Sequence, residues 1–125
     1  MRIDRMTTKA QEALRAAVDL ASRKGNPELY PEHLLRELLT QDGGLVGPVV
    51  AKAGASPQQL GAALDERIAS YPQVSGGAEP GLSRRTLNLL QKAEDESKAL
   101  KDDFISTEHL LLSGAKHDKD LMGLL

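Results

Sequence analysis

Two four-residue runs hold two of the three histidines, each beside a glutamate: Glu32-His33-Leu34-Leu35 and Glu108-His109-Leu110-Leu111. Two carboxylates and two imidazoles are a common zinc ligand set. Adjacent residues on a helix point about 100° apart, however, and the H-E-x-x-H pattern that puts two histidines on one face is absent. The plainer reading places each glutamate at a helix start, with its histidine packed or hydrogen-bonded nearby. No serine lies in a G-x-S-x-G setting, and neither Gly43-Gly44 nor Gly76-Gly77 runs on into the Gly-Lys-Ser/Thr of a phosphate loop. Acyl transfer and ATP hydrolysis therefore have no visible seat. The chain has no cysteine, which removes disulfides, thiolate metal sites and thiolate nucleophiles. What is left lies at helix starts. A hydroxyl, Thr7 or Ser83, precedes the first long helical stretch of each half, and a carboxylate, Glu32 or Glu108, opens the second. If the two starts converge within each half, free N–H groups, a hydroxyl and an acid form a small polar pocket, present twice; the alternative is ordinary capping.

The duplication is general. An offset of 76 pairs residues 7–49 with 83–125 without a gap, and ten of the 43 pairs are identical. Chance gives roughly a fifteenth of the pairs, so the chain contains an internal repeat. The reading divides it into repeat one at 1–71, a linker at 72–82 and repeat two at 83–125. The second copy has no counterpart of Val50 to Tyr71, so its last helix is expected to be missing.

The elements that must position these groups read as helices. Ala10, Ala13, Leu14, Ala17, Val18 and Ala21 recur at helical spacing behind Thr7 and run to Gly25-Asn26-Pro27. Tyr30-Pro31-Glu32 opens a second helix, with proline in its first turn and an acid against the dipole; Asp42-Gly43-Gly44 ends it. Leu45 to Ala53 is a short third helix, and Ser56-Pro57-Gln58-Gln59 caps a fourth with Leu60, Leu64 and Ile68 on its apolar face. The Pro and Gly punctuation from Tyr71 to Gly81 marks a loop. In the second copy Ser83 caps a helix with Leu87, Leu90, Ala93, Ser97 and Leu100 inward, Ser106-Thr107-Glu108-His109 starts the next, and Leu121 to Leu125 repeats the start of helix three. No segment alternates with the period of a strand. The expected fold is all-α, a pseudo-twofold tandem repeat of two four-helix units, the second incomplete at its C-terminus.

Composition narrows the function. At 125 residues the chain is one domain with a real core. Its net charge of −2, with acids and bases interleaved, makes no basic field for a phosphate backbone, and Tyr30, Tyr71 and Phe104 are too few for base stacking. Neither nucleic acid nor a membrane is an expected partner, since no apolar run reaches the 18 residues or so of a spanning helix. Without an apolar leader after Met1-Arg2-Ile3-Asp4-Arg5, the chain reads as soluble and cytoplasmic.

Several separated motifs together carry a resemblance. Met1-Arg2-Ile3-Asp4-Arg5-Met6-Thr7-Thr8-Lys9-Ala10-Gln11, Pro31-Glu32-His33-Leu34-Leu35, Gly43-Gly44 and Phe104-Ile105-Ser106-Thr107-Glu108-His109-Leu110 resemble the Clp amino-terminal domain, a double repeat, and the opening is most similar to ClpB-type disaggregases. The resemblance spans the whole chain. It implies a non-catalytic recognition module, without a cofactor of its own, at the front of a homohexameric, ATP-driven unfoldase that works with the DnaK system. It implies binding of unfolded or aggregated polypeptide through an apolar groove, with positions matching Thr7, Asp102 and Glu108 nearby, and a monomeric isolated domain. In ClpC-type unfoldases the same domain docks adaptor proteins and phosphoarginine, which implies pockets pairing Thr7 with Glu32 and Ser83 with Glu108. The opening residues favour the first subclass; the Thr-Glu-His-Leu motif is common to both.

Overall fold

The structure, a computed structural model, describes residues 3–77 and 79–125. After a 3-10 turn at Ile3–Arg5, repeat one folds as α1 (Thr8–Arg23), β1 (Glu28–Leu29), α2 (Pro31–Thr40), α3 (Val46–Lys52) and α4 (Pro57–Ala69). Repeat two follows as β2 (Gly81–Leu82), α5 (Arg84–Ala99), α6 (Thr107–His117) and α7 (Lys119–Met122). None of these helices is long and apolar enough to cross a membrane.

Each long helix forms for reasons written locally. Thr7 Oγ1 accepts from the Ala10 amide at 3.1 Å and Ser83 Oγ from the Thr86 amide at 3.1 Å, satisfying N–H groups that a helix start leaves without partners. Buried Ala10, Ala13, Leu14, Ala17 and Ala21 make the inner stripe of α1. The small side chains let α2 pack closely against it. The inner stripe of α5 is Thr86, Leu89, Leu90, Ala93 and Ser97. Leu87 and Leu100, expected inward, are 49% and 60% exposed. Periodicity allowed either set, and the polar members Thr86 and Ser97 are buried because their hydroxyls reach the carbonyls of Leu29 and Glu94.

The repeats are joined by short parallel backbone pairings, which the period of the sequence did not reveal because each is only one or two residues long. Glu28 and Leu29 pair with Gly81 and Leu82, and Met6 pairs with Ile105. Adding the 76-residue offset turns Met6 into Leu82 and Leu29 into Ile105, so these contacts are twofold mates. The Thr7 amide donates to Ile105 O at 2.9 Å and the Ser83 amide to Leu29 O at 3.0 Å. Leu29, Leu34, Leu90, Ile105 and Leu110 close the core between the repeats. Each such side chain stabilises the fold by roughly 1.5 to 3 kcal/mol.

Symmetry breaks toward the end of each repeat. In repeat one, α4 packs Leu60, Leu64 and Ile68 against α2; among the described residues, repeat two has no equivalent helix on α6. The expected copy of helix three at Leu121 to Leu125 is replaced by α7, which begins earlier. Where repeat one turns at Gly43 with φ +67°, Asp118 instead accepts from the Leu121 amide and caps a helical turn.

Candidate functional site

The candidate residues fall at two junctions between the repeats. Within a repeat, the two long helices are antiparallel: Lys9 Nζ reaches Asp42 O and Gln41 Nε2 reaches Lys9 O, so the start of α1 lies at the end of α2. The start of α2 is therefore a helix length away, roughly 15 Å at 1.5 Å per residue. The expected pairing of Thr7 with Glu32, and of Ser83 with Glu108, is thus corrected. An antiparallel hairpin cannot bring both its helix starts together, and the parallel pairings bring them together across repeats. Ser83 stands beside Leu29 and the start of α2, which carries Glu32, and Thr7 beside Ile105 and the start of α6, which carries Glu108.

At both junctions the histidine completes the helix start. His33 Nδ1 accepts from the Tyr30 amide and His109 Nδ1 from the Ser106 amide, each at 2.9 Å. In the neutral ring this places the proton on Nε2, which donates to Asn26 Oδ1 at 2.8 Å in repeat one and faces Asp102 Oδ2 at 2.9 Å in repeat two. Asn26 and Asp102 are offset mates, so the sequence itself sets a polar residue seven positions before each histidine. Burial lowers the pKa of His33 below its ordinary value, outweighing the neighbouring Glu32.

The first junction is filled by the chain itself. Glu32 is 0% exposed, and its Oε2 accepts from Arg85 Nη2 at 3.0 Å and Arg67 Nη1 at 3.3 Å. Arg85 also holds both oxygens of Asp118, at 2.9 and 3.1 Å, and donates to the Tyr71 hydroxyl at 2.9 Å. Burial works to lower the Arg85 guanidinium, yet its bonds to Asp118 and Glu32 hold it above its ordinary range. Burial likewise works to raise Asp118, and the Arg85 bonds hold it lower. The Tyr71 phenol is pushed up to about 12, by burial first and against the Arg85 bond. Its ring stacks on Tyr30 with centroids 4.0 Å apart. The linker continues over this end of the repeat, where Asn26 Nδ2 donates to Pro72 O at 3.0 Å and the Val74 amide to Gly25 O at 2.8 Å.

Among the described residues, the second junction is uncovered. Glu108 is exposed; its Oε1 accepts from Thr107 Oγ1 at 2.8 Å, and among the described residues no cation lies within salt-bridge distance. Around it, Leu100, Asp102, Asp103, Phe104, Ser106 and Leu112 line a cleft of about 590 Å³. Beyond Leu112, an apolar groove of about 480 Å³ runs between α3 and α6, walled by Val49, Val50, Ala53, Leu111 and Ala115. Exposures of 60% at Leu100, 54% at Phe104 and 39% at Leu112 mark an apolar surface that sequence reading passed over. Its signal was available: at the paired positions, repeat one has Lys24, Glu28 and Arg36.

A family model described as the Clp repeat (R) N-terminal domain matches residues 5–125. The chain belongs to this family. Among curated relatives, the chaperone protein ClpB of Mycobacterium tuberculosis is 39% identical over 120 residues, covering 95% of this chain and 14% of that protein. ClpB of Bdellovibrio bacteriovorus is 41% identical over 121 residues, with the same two coverages of 95% and 14%. This Clp N-terminal domain thus spans 14% of the length of those relatives. In fold it is similar to the N-terminal domain of Hsp104 from Candida albicans, with a TM-score of 0.85 at 20% identity over 95% of this chain and 78% of that one. The ClpV N-domain in complex with a VipB peptide matches with a TM-score of 0.79 at 24% identity, over 98% of this chain and 78% of that one. The chain is therefore a mostly helical Clp N-terminal domain of the ClpB-like kind, and its two junctions are unequal copies of one feature of the repeat.

Proposed function

We propose that this domain recruits unfolded or aggregated polypeptide for an ATP-driven, homohexameric ClpB-type disaggregase of the cytoplasm working with the DnaK system, and that the open junction of repeat two is the docking surface. The observation that carries the reading is the replacement of Lys24, Glu28 and Arg36 by Leu100, Phe104 and Leu112 around Glu108. Exposed apolar residues clustered in a cleft suit non-native chains, whose exposed side chains are apolar. Thr7 and Ser83 act in this reading as helix caps, Asp102 and Glu108 as the rim, and Glu32 as an internal charge partner. The chemistry is binding alone, with ATP turnover belonging to the parent protein. Adaptor or phosphoarginine docking of the ClpC kind is less favoured, because Glu32 is already engaged by two guanidinium groups, which leaves one open acid where that chemistry calls for two.

The test is fluorescence anisotropy with a labelled, permanently unfolded polypeptide, in low and in high salt. Apolar burial predicts binding that salt changes little, and no competition by free phosphoarginine. Binding abolished by salt, or displaced by phosphoarginine, would overturn the reading in favour of charge-driven docking.

A further inference from the structure

The turn that ends α2 holds a reactive pair apart from both junctions. Asp42-Gly43 is the one place in the sequence where an aspartate or asparagine is followed by glycine. With no Cβ on the second residue, the first residue's carboxyl carbon is least hindered from closing on the peptide nitrogen between them. The pair forms the centre of a four-residue turn in which the Gly44 amide donates to Gln41 O at 3.0 Å, and both residues are exposed. Gly43 has φ +67°, and beyond its chain neighbours a Cβ there would meet only Lys9 Nζ, at 3.9 Å. Among the described residues, the Asp42 carboxylate has no hydrogen-bond or ion-pair partner, and the Gly43 N–H donates to no acceptor. Bond formation between them therefore costs neither group a partner it already holds.

Lys9 is placed to promote the reaction. Its ammonium donates to Asp42 O at 2.8 Å, the oxygen of the same peptide group whose nitrogen belongs to Gly43. A cation on that oxygen draws electron density from the group and makes the Gly43 nitrogen easier to deprotonate. It also stabilises negative charge that develops on the oxygen when water adds to its carbon. Gln41 Nε2 donates to Lys9 O at 2.8 Å, which keeps the start of α1 against the turn. Repeat two carries the internal contrast. There the offset mates are Arg85 for Lys9 and Asp118 for Asp42, with Lys119 in place of the glycine. Arg85 holds both carboxylate oxygens of Asp118, one of which also accepts the Leu121 amide, so the acid itself is occupied.

We propose that Asp42-Gly43 is a self-modification site at which Lys9 promotes conversion of Asp42 to isoaspartate. The Gly43 nitrogen loses its proton to solvent and bonds to Asp42 Cγ, a hydroxyl of the carboxyl group leaves as water, and a five-membered succinimide results. Water then adds to the main-chain carbonyl carbon of Asp42, beside Lys9. The bond from that carbon to the Gly43 nitrogen breaks, and the nitrogen, still bonded to Cγ, takes a proton. One water leaves and one enters, so mass and net charge are unchanged. The chain now runs through Cβ and Cγ, and the oxygen that faced Lys9 belongs to a free carboxylate, a stronger acceptor for the ammonium than a neutral carbonyl.

The test is prolonged incubation of the 125-residue chain in warm, neutral buffer enriched in heavy-oxygen water, followed by peptide mapping with fragmentation that separates isoaspartate from aspartate. Heavy oxygen marks both products of succinimide opening, so the labelled ratio reads where water attacked. Isoaspartate is expected to accumulate at residue 42 and not at residue 118. Lys9→Met, at a half-exposed side chain, should slow its formation about threefold, the worth of an exposed charge contact. It should also lower the labelled isoaspartate-to-aspartate ratio toward that of a capped peptide of residues 39–46, which lacks Lys9. Lys52→Met, an exposed lysine elsewhere, should change neither. Isoaspartate no more abundant at residue 42 than at residue 118 would overturn the site. A parent chain whose labelled ratio equals that of the peptide, or a Lys9→Met variant that reacts like the parent, would overturn the part assigned to Lys9.

Discussion

His33 and His109 occupy one place in the motif and make the same bond to a helix-start amide, yet they face different partners. Asn26 fixes His33 as a buried neutral ring, whereas His109 faces the carboxylate of Asp102 at 2.9 Å. The direction of the His33 shift sets a pH dependence. A histidine whose folded pKa lies below its unfolded value adds stability above about 6.5, and that stability is lost as pH falls from there through the folded value. Installing the second repeat's partner should reverse the shift: in Asn26→Asp, the His33 pKa measured by NMR titration should rise above that of the parent chain. An unchanged or lower value would contradict the assigned geometry. At this scale the sequence was partly legible. The caps Thr7 and Ser83 follow from hydroxyls ahead of apolar periodicity, and both glutamates do open helices. The fate of each glutamate was not legible, because identical Glu-His-Leu-Leu runs leave Glu32 buried under two arginines and Glu108 in solvent. The difference comes from Arg67, Arg85 and Tyr71, which reach Glu32 from distant parts of the chain.

Helices were the most legible elements, since their stripes, caps and glycine stops are local. The misplacement of Leu87 and Leu100 arose where two hydrophobic registers competed on α5, and tertiary bonds from Thr86 to Leu29 O decided between them. The parallel pairings at Leu29 and Ile105 are too short to impose a period, although they determine which helix starts meet. The helix ends also show the repeats diverging. Gly25 follows α1 in the left-handed region, where glycine has no steric cost, whereas Lys101 follows α5 at φ +60° with a side chain that disfavours it. Lys101→Gly should therefore raise the free energy of unfolding by about 1 kcal/mol, read from urea denaturation at constant m-value. A lower stability would mean that the lysine side chain makes a compensating contact.

Across the whole molecule, the internal repeat places two related junctions in different surroundings. One is closed by the linker and by an internal charge cluster, in which Arg85 joins Glu32 and Tyr71 of repeat one to Asp118 of repeat two. The other has Leu100, Phe104 and Leu112 where repeat one has Lys24, Glu28 and Arg36, and is uncovered among the described residues. The repeat, its offset and the family resemblance were readable from the sequence because they are properties of aligned residues. The crossing of helix starts between repeats was not, since it depends on an antiparallel hairpin geometry that motif spacing does not encode. The central claim is that divergence at the open junction created the docking surface, and one variant tests it most directly. Leu100→Lys, Phe104→Glu and Leu112→Arg together restore the residues of repeat one, all at exposed positions where substitution should cost little stability. Anisotropy with a labelled unfolded polypeptide should then show affinity at least about tenfold weaker than the parent chain, as expected for losing over 1.4 kcal/mol of apolar contact. A control carrying Leu45→Lys and Leu87→Lys, equally exposed apolar positions elsewhere, should bind like the parent. Undiminished binding by the triple variant, with its fold intact by circular dichroism, would contradict the account.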